Sequence, residues 1–306
     1  MRLLCLKAFT ATALCIIIFA TVVRGQELIA PAGPVELLKG QFAFTEGPAT
    51  DPSGNVYFSD IPNATIHRVT SEGNFEVFTD DSKYTNGMIC TADGRLLGCQ
   101  MDGAVVQYDL KTGEVAKVLA DSYQGKRFNA PNDLIIDSTG GIYFTDPLYR
   151  APEPLPQGVQ AVYYIAENGT VSRVTDGISA PNGIALSPDE SKLYVIPSMQ
   201  AKMLVYEVIE PGKLGDQDVF TILRQPHGKS ATGGDGMVVD VEGNLYVTTE
   251  LGIQIFSPMG AAIGLVEVPE QPANVTFSGV DRKTLFITAR TGVYTAPMSI
   301  AGLPSH

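Results

Sequence analysis

Apolar positions in this chain fall in short runs separated by polar turns, and one arrangement of them returns six times. In 180–195, APNGIALSPDESKLYV, a turn carrying Asn182 leads into an apolar strand at 184–186, a tight polar turn at 188–191 and a second apolar strand at 193–195. The sister units are TEGPATDPSGNVYFSD from Thr45, TNGMICTADGRLLG from Thr85, APNDLIIDSTGGIYFTD from Ala130 and GGDGMVVDVEGNLYVTT from Gly233. The loosest, ANVTFSGVDRKTLFIT, starts at Ala273. At one place in every unit stand Glu46, Asn86, Asn132, Asn182, Asp235 and Asn274, separated by 40, 46, 50, 53 and 39 residues. All six side chains bear oxygen.

A period of this size made of short strands and turns is the signature of an all-β fold, the β-propeller. Six units predict six four-stranded antiparallel blades around a central channel. If each marked turn leads into the innermost strand of its blade, the six side chains meet at one mouth of that channel. A ring also needs a clasp, because an open one exposes strand edges. The strand expected at 35–39 is placed to pair with the last blade and supply it. The propeller domain is therefore expected over 35–302, after a loosely ordered polar segment at 26–34. A proline-rich stretch at 147–160, PLYRAPEPLPQGVQ, is too irregular for a strand and is expected to be either a lid over one face or a plain excursion between strands.

Residues 1–25 read differently. Arg2 and Lys7 precede an apolar run at 8–23 with small residues after it, the order of a secretory signal peptide, so the chain is expected to be exported, periplasmic or secreted. Without Arg2, Lys7 and Arg24, 18 basic residues face 33 acidic ones, a formal charge of about −15. Such a surface repels nucleic acid and anionic membranes and attracts cations. No nucleic acid, stable membrane insertion or obligate protein partner is expected. Cys90 and Cys99 lie on the two strands of the second unit. A turn at 92–95 would set Cys90 opposite Leu97 and Cys99 opposite Met88, which favours two buried thiols over a disulfide.

Glu46, Asn132, Asn182 and Asp235 offer two carboxylates and two carboxamides. An oxygen-only set reaching in from four blades suits one hard divalent cation, Ca2+ above all, with Zn2+, Mg2+ or Mn2+ as alternatives. Asn86 and Asn132, with Arg127 just before the third blade, are candidate substrate contacts, and His227 is a candidate for the rim. No serine-hydrolase elbow, zinc-protease helix or dinucleotide turn occurs. Metal-assisted hydrolysis of an ester-like carbonyl is the chemistry that remains, with a carboxylate drawing a proton from water.

The segments EGPATDPSGNVYFSD, RFNAPNDLIID, YFTDP, APNGIALSPDESKLYV and GGDGMVVDVEGNLYV resemble, in order, the motifs of the senescence marker protein/gluconolactonase family, which includes regucalcin and relatives of luciferin-regenerating enzyme. The resemblance implies a six-bladed propeller, one axial divalent metal and hydrolysis of a sugar or other small lactone. It assigns Glu46, Asn182 and Asp235 as metal ligands and Asn132 as a further ligand or substrate contact. Asp235 becomes the preferred general base, and Asn274 a loosely matched pocket residue. In animal members an arginine stands two residues before the asparagine matching Asn132, where this chain has Ala130. Two other readings keep the same propeller. One is a phosphotriesterase or arylesterase on the same metal, the other a calcium-stabilised module that binds a ligand without turnover.

Overall fold

The computed structural model describes residues 28–304 and 306. The signal-peptide reading of 1–25 lies outside them. Six four-stranded antiparallel sheets follow one another around an axis; in five the chain runs from the innermost strand outward, and in the sixth only its three inner strands do so. The inner strands are Thr45–Thr50, Thr85–Cys90, Leu134–Ile136, Pro181–Leu186, Met237–Val239 and Asn274–Ser278. The fold expected from the repeats is the fold observed.

The turn after each inner strand explains the recurring D-x-x-G sequence. In the first blade, Asp51 Oδ1 accepts from the N–H groups of Ser53 and Asn55, each at 2.9 Å, and Gly54 takes φ +85°. Asp137 and Asp240 repeat the arrangement in the third and fifth blades. Glycine tolerates that left-handed backbone without strain. Glu190 and Arg282 adopt it in the fourth and sixth blades, at φ 57° and 53°.

The same turn geometry corrects the cysteine register. Thr91 N–H donates to Arg95 O and Gly94 is left-handed, so the loop is 92–94 and Cys90 pairs with Leu96 rather than Leu97. Met88 pairs with Gly98, not Cys99. Both thiols are free and buried, as expected.

Blades adhere through apolar layers, one in each of the six interfaces. Phe58, Val56 and Val69 of the first blade meet Phe286 and Val293 of the sixth, which closes the circle. Truncating a buried ring such as Phe286 to alanine costs about 3–5 kcal/mol in comparable cores. The clasp is present: Glu36–Lys39 is the outermost strand of the sixth blade, with Glu36 opposite Thr295 and Leu37 opposite Tyr294. The segment before it, expected to be loosely ordered, is tied down where it is described. Ile29 forms a parallel bridge to Gly264 and donates its N–H to Ile263 O at 2.7 Å.

Candidate active site

The six marked residues sit at the start of inner strands or in the turns just before them, and a second sequence feature sets how tightly they close. In four units a glycine follows the marked residue, as Gly47, Gly87, Gly183 and Gly236. Each glycine packs on the marked residue of the next blade. A Cβ on Gly183 would lie 2.5 Å from Asp235 O, and one on Gly87 2.7 Å from Asn132 O. The glycine N–H groups use the same closeness: Gly87 donates to Asn132 O at 2.7 Å and Gly183 to Asp235 O at 2.9 Å. Hydroxyls on the second strands reinforce the ring, with Ser59 Oγ donating to Asn86 O and Thr145 Oγ1 to Asn182 O, each at 2.9 Å. Neighbouring blades are thus stitched backbone to backbone at the level of the site.

The ring opens into a cleft of about 710 Å³ whose polar floor includes Glu46, Asn86, Asn132, Asn182 and Asp235. Phe44, Ile61, Pro62, Met101 and Met199 form apolar walls. Asn182 Nδ2 donates to Asp235 Oδ1 at 2.7 Å. Glu46 is buried, and one of its oxygens accepts the Gly47 N–H at 3.0 Å. Burial raises its carboxyl well above the ordinary range, and the charge of Asp235 adds to the effect, with Asp133 a smaller contributor. Burial also lifts Asp235 to about 6, against the pull of Arg290.

Asp133 is the site residue that sequence reasoning missed. It occupies the position that glycine fills in four other units, and its carboxyl is buried beneath the floor. Oδ1 accepts from the Leu134 N–H at 2.9 Å, and Asn274 Nδ2 approaches Oδ2 at 3.5 Å. Burial pushes Asp133 up to about 7. Asn274 lies at this lower level too, facing a narrow axial channel rather than the cleft. Its own Oδ1 is taken by the Val275 N–H at 2.8 Å.

Two other candidates stand elsewhere. Arg127 is not among the lining residues, because its guanidinium donates to Phe128 O at 2.9 Å, Asn129 O at 3.1 Å and Met101 O at 3.5 Å. His227 is exposed and also outside the lining. The proline-rich segment does reach the cleft, with Tyr149 and Arg150. It is pinned from behind, where Gln157 Nε2 donates to Lys126 O at 2.7 Å and Asn129 Nδ2 to Val159 O at 2.8 Å. The Tyr149 phenol faces Ser198 and Asn182, and its pKa is raised, chiefly by burial and further by Asp235 and Glu46.

The donor set fits a hard dication. Three carboxylates, Glu46, Asp133 and Asp235, are gathered where burial and mutual repulsion both disfavour their charge, and a cation removes that cost. The Asn182 amide now presents nitrogen to Asp235, and a half-turn about its last bond presents oxygen instead. Among the described residues no three acidic, histidine or cysteine side chains group as metal ligands by themselves, so a centre here needs the carboxamides.

Residues 44–291 match the family described as the SMP-30/Gluconolactonase/LRE-like region. A gluconolactonase of Zymomonas mobilis is 32% identical over 285 residues, which span 85% of this chain and 80% of the relative. Among solved structures, a gluconolactonase from Xanthomonas campestris superimposes with a TM-score of 0.79 at 29% identity, covering 89% of this chain and 94% of the other. Regucalcin of Agrobacterium tumefaciens, a calcium-binding protein, gives a TM-score of 0.75 at 22% identity over 90% of this chain and 96% of its own, a likeness of fold. With its repeats, its ring of oxygen donors and these relatives in agreement, the chain belongs to the SMP-30/gluconolactonase/LRE-like family.

Proposed function

We propose that this protein is a lactonase that hydrolyses a sugar or other small lactone with one divalent cation, most readily Ca2+, held by Glu46, Asn182 and Asp235 and completed by Asn132. The observation that carries the reading is the meeting of these side chains on one cleft floor, in a chain 32% identical to a gluconolactonase. A cation held there supplies Lewis-acid polarisation of the lactone carbonyl and offsets the charge of the oxyanion.

The chain's own residues do the rest. Asp235 accepts a proton from water as the water oxygen bonds to the carbonyl carbon. The ring C–O bond then breaks, and the departing alkoxide takes up the proton to leave the open hydroxy acid. Burial lifts Asp235 to about 6, a dication beside it favours the ionised form instead, and Asp235 takes the proton as its carboxylate loosens toward the water. Asn86 and Asn132 offer carboxamides to the hydroxyls of the substrate. The Tyr149 hydroxyl, beside Ser198 and Asn182 in the cleft, is a further donor to the substrate.

The test is turnover of a panel of sugar and aliphatic lactones by the purified protein, with and without chelator, beside metal analysis. Chelator-sensitive hydrolysis that calcium restores, and that Asp235→Asn abolishes while the fold persists, supports the reading. Lactone turnover that ignores chelation would remove the cation from it, and turnover of aryl esters or phosphotriesters alone would replace the substrate class.

A further inference from the structure

We infer that the substrate carries an anionic group at the end remote from its lactone carbonyl, and that Arg150 is the residue that selects for it. The inference deepens the lactonase reading and rests on it.

Arg150 lines the cleft, and its guanidinium lies 3.6 Å from the centre of the Tyr84 ring. Both backbones are left-handed, at φ 58° for Arg150 and 57° for Tyr84. For side chains other than glycine, asparagine or aspartate that conformation is uncommon and unfavourable. Two such residues stacked on one another beside the cleft mark an arrangement that the surrounding structure enforces.

Stacking holds a guanidinium by its face and leaves the N–H groups around its edge free. Among the described residues Arg150 has no ion pair and no hydrogen bond, so none of its donors is spent. The contrast with Arg127, committed to three backbone carbonyls, is direct. A guanidinium donates only, and its planar fork matches a carboxylate or phosphate. Glu250, which also lines the cleft, is already paired with Lys229. A second guanidinium, Arg290, lies 5.0 Å over Phe44 on the wall and adds to the positive field. With the lactone carbonyl turned toward the cation that the acidic floor would hold, the free fork of Arg150 meets the opposite end of the molecule.

The probes are the γ-lactones of D-gluconate and D-glucarate, which differ in a terminal hydroxymethyl against a carboxylate. Wild type should prefer the anionic lactone in kcat/KM, and the preference should weaken with added salt. Arg150→Met, which keeps the stem on Tyr84, should lower the ratio between the two substrates by about 10- to 100-fold, the scale of one charge-assisted hydrogen bond. Arg150→Lys should retain part of it. Tyr84→Leu should reduce it by freeing the guanidinium to wander. A ratio near one in wild type, or a ratio that Arg150→Met leaves unchanged, overturns the inference while the lactonase reading stands. If neither lactone is opened, that reading fails for this class, and calorimetric binding of the same two molecules to wild type and Arg150→Met decides. Tighter binding of the anion that depends on Arg150 supports the role, and equal binding ends it.

Discussion

Asn182 Nδ2 donates to Asp235 Oδ1 at 2.7 Å across the boundary between the fourth and fifth blades, although the two residues stand 53 positions apart in the chain. What brings them together is backbone contact at Gly183, whose N–H donates to Asp235 O at 2.9 Å. A Cβ there would meet that oxygen at 2.5 Å and Gly236 Cα at 3.0 Å. Gly183→Ala is therefore expected to cost about 1–3 kcal/mol through forced displacement. The same shift parts Asn182 from Asp235, so kcat/KM on the best lactone should fall by about tenfold or more, since an ångström of misplacement in an active site is expensive. Denaturant unfolding and steady-state kinetics check the two halves separately.

Removing the cation proposed for the floor should expose the repulsion beneath it. Chelated wild type is expected to melt below the calcium-loaded protein. Asp133→Asn keeps an acceptor for the Leu134 N–H and removes one of three crowded charges. It should raise the melting temperature of the chelated protein by a few degrees and shrink the gain produced by calcium. Paired thermal scans of both proteins, with and without chelator, test this. A variant less stable than wild type in chelator would refute it.

Asp146 gives a pH dependence away from the cation. Burial pushes its carboxyl up to about 7, although the N–H groups of Asn129 and Ala130 donate to it at 2.9 and 2.8 Å. Between the unfolded value of about 4 and this folded value the native protein holds a proton that the unfolded chain gives up. Raising the pH through that window favours unfolding, and the loss is complete above about 7. Three units correspond to at most about 4 kcal/mol. Asp146→Asn should flatten the fall in unfolding free energy between pH 5 and pH 8, measured at saturating calcium.

Tyr149 is tested by Tyr149→Phe, which removes the hydroxyl beside Ser198 and Asn182 and keeps the ring. A donor used in the transition state should cost about two- to tenfold in kcat, the range of one neutral hydrogen bond. A phenol that merely fills space would leave kcat as it is and change only stability.

The ring was legible in the sequence because one supersecondary unit is written six times, with its turn aspartates and glycines in register. The floor of the cleft was legible for the same reason, since Glu46, Asn132, Asn182 and Asp235 hold equivalent places. Asp133 escaped because an Asn-Asp pair reads locally as a turn. The signal was there in the alignment of the units, where four have glycine after the marked residue and Asp133 breaks the pattern. The placement of Arg127 was not legible, because a guanidinium near a site looks the same in sequence whether it faces a substrate or, as here, backbone carbonyls. The cysteine register differs by one because the loop, ending in left-handed Gly94, holds three residues rather than four.

The strand Glu36–Lys39 closes the circle at the seam between the sixth and first blades, and Glu46 is carried by the strand that follows. Any breathing of that seam withdraws an anionic donor from the axis at the moment the edge strand lets go. With a cation on the axis as proposed, its occupancy is coupled to the integrity of the circle, so calcium depletion should loosen Glu36–Lys39 first, far from the axis.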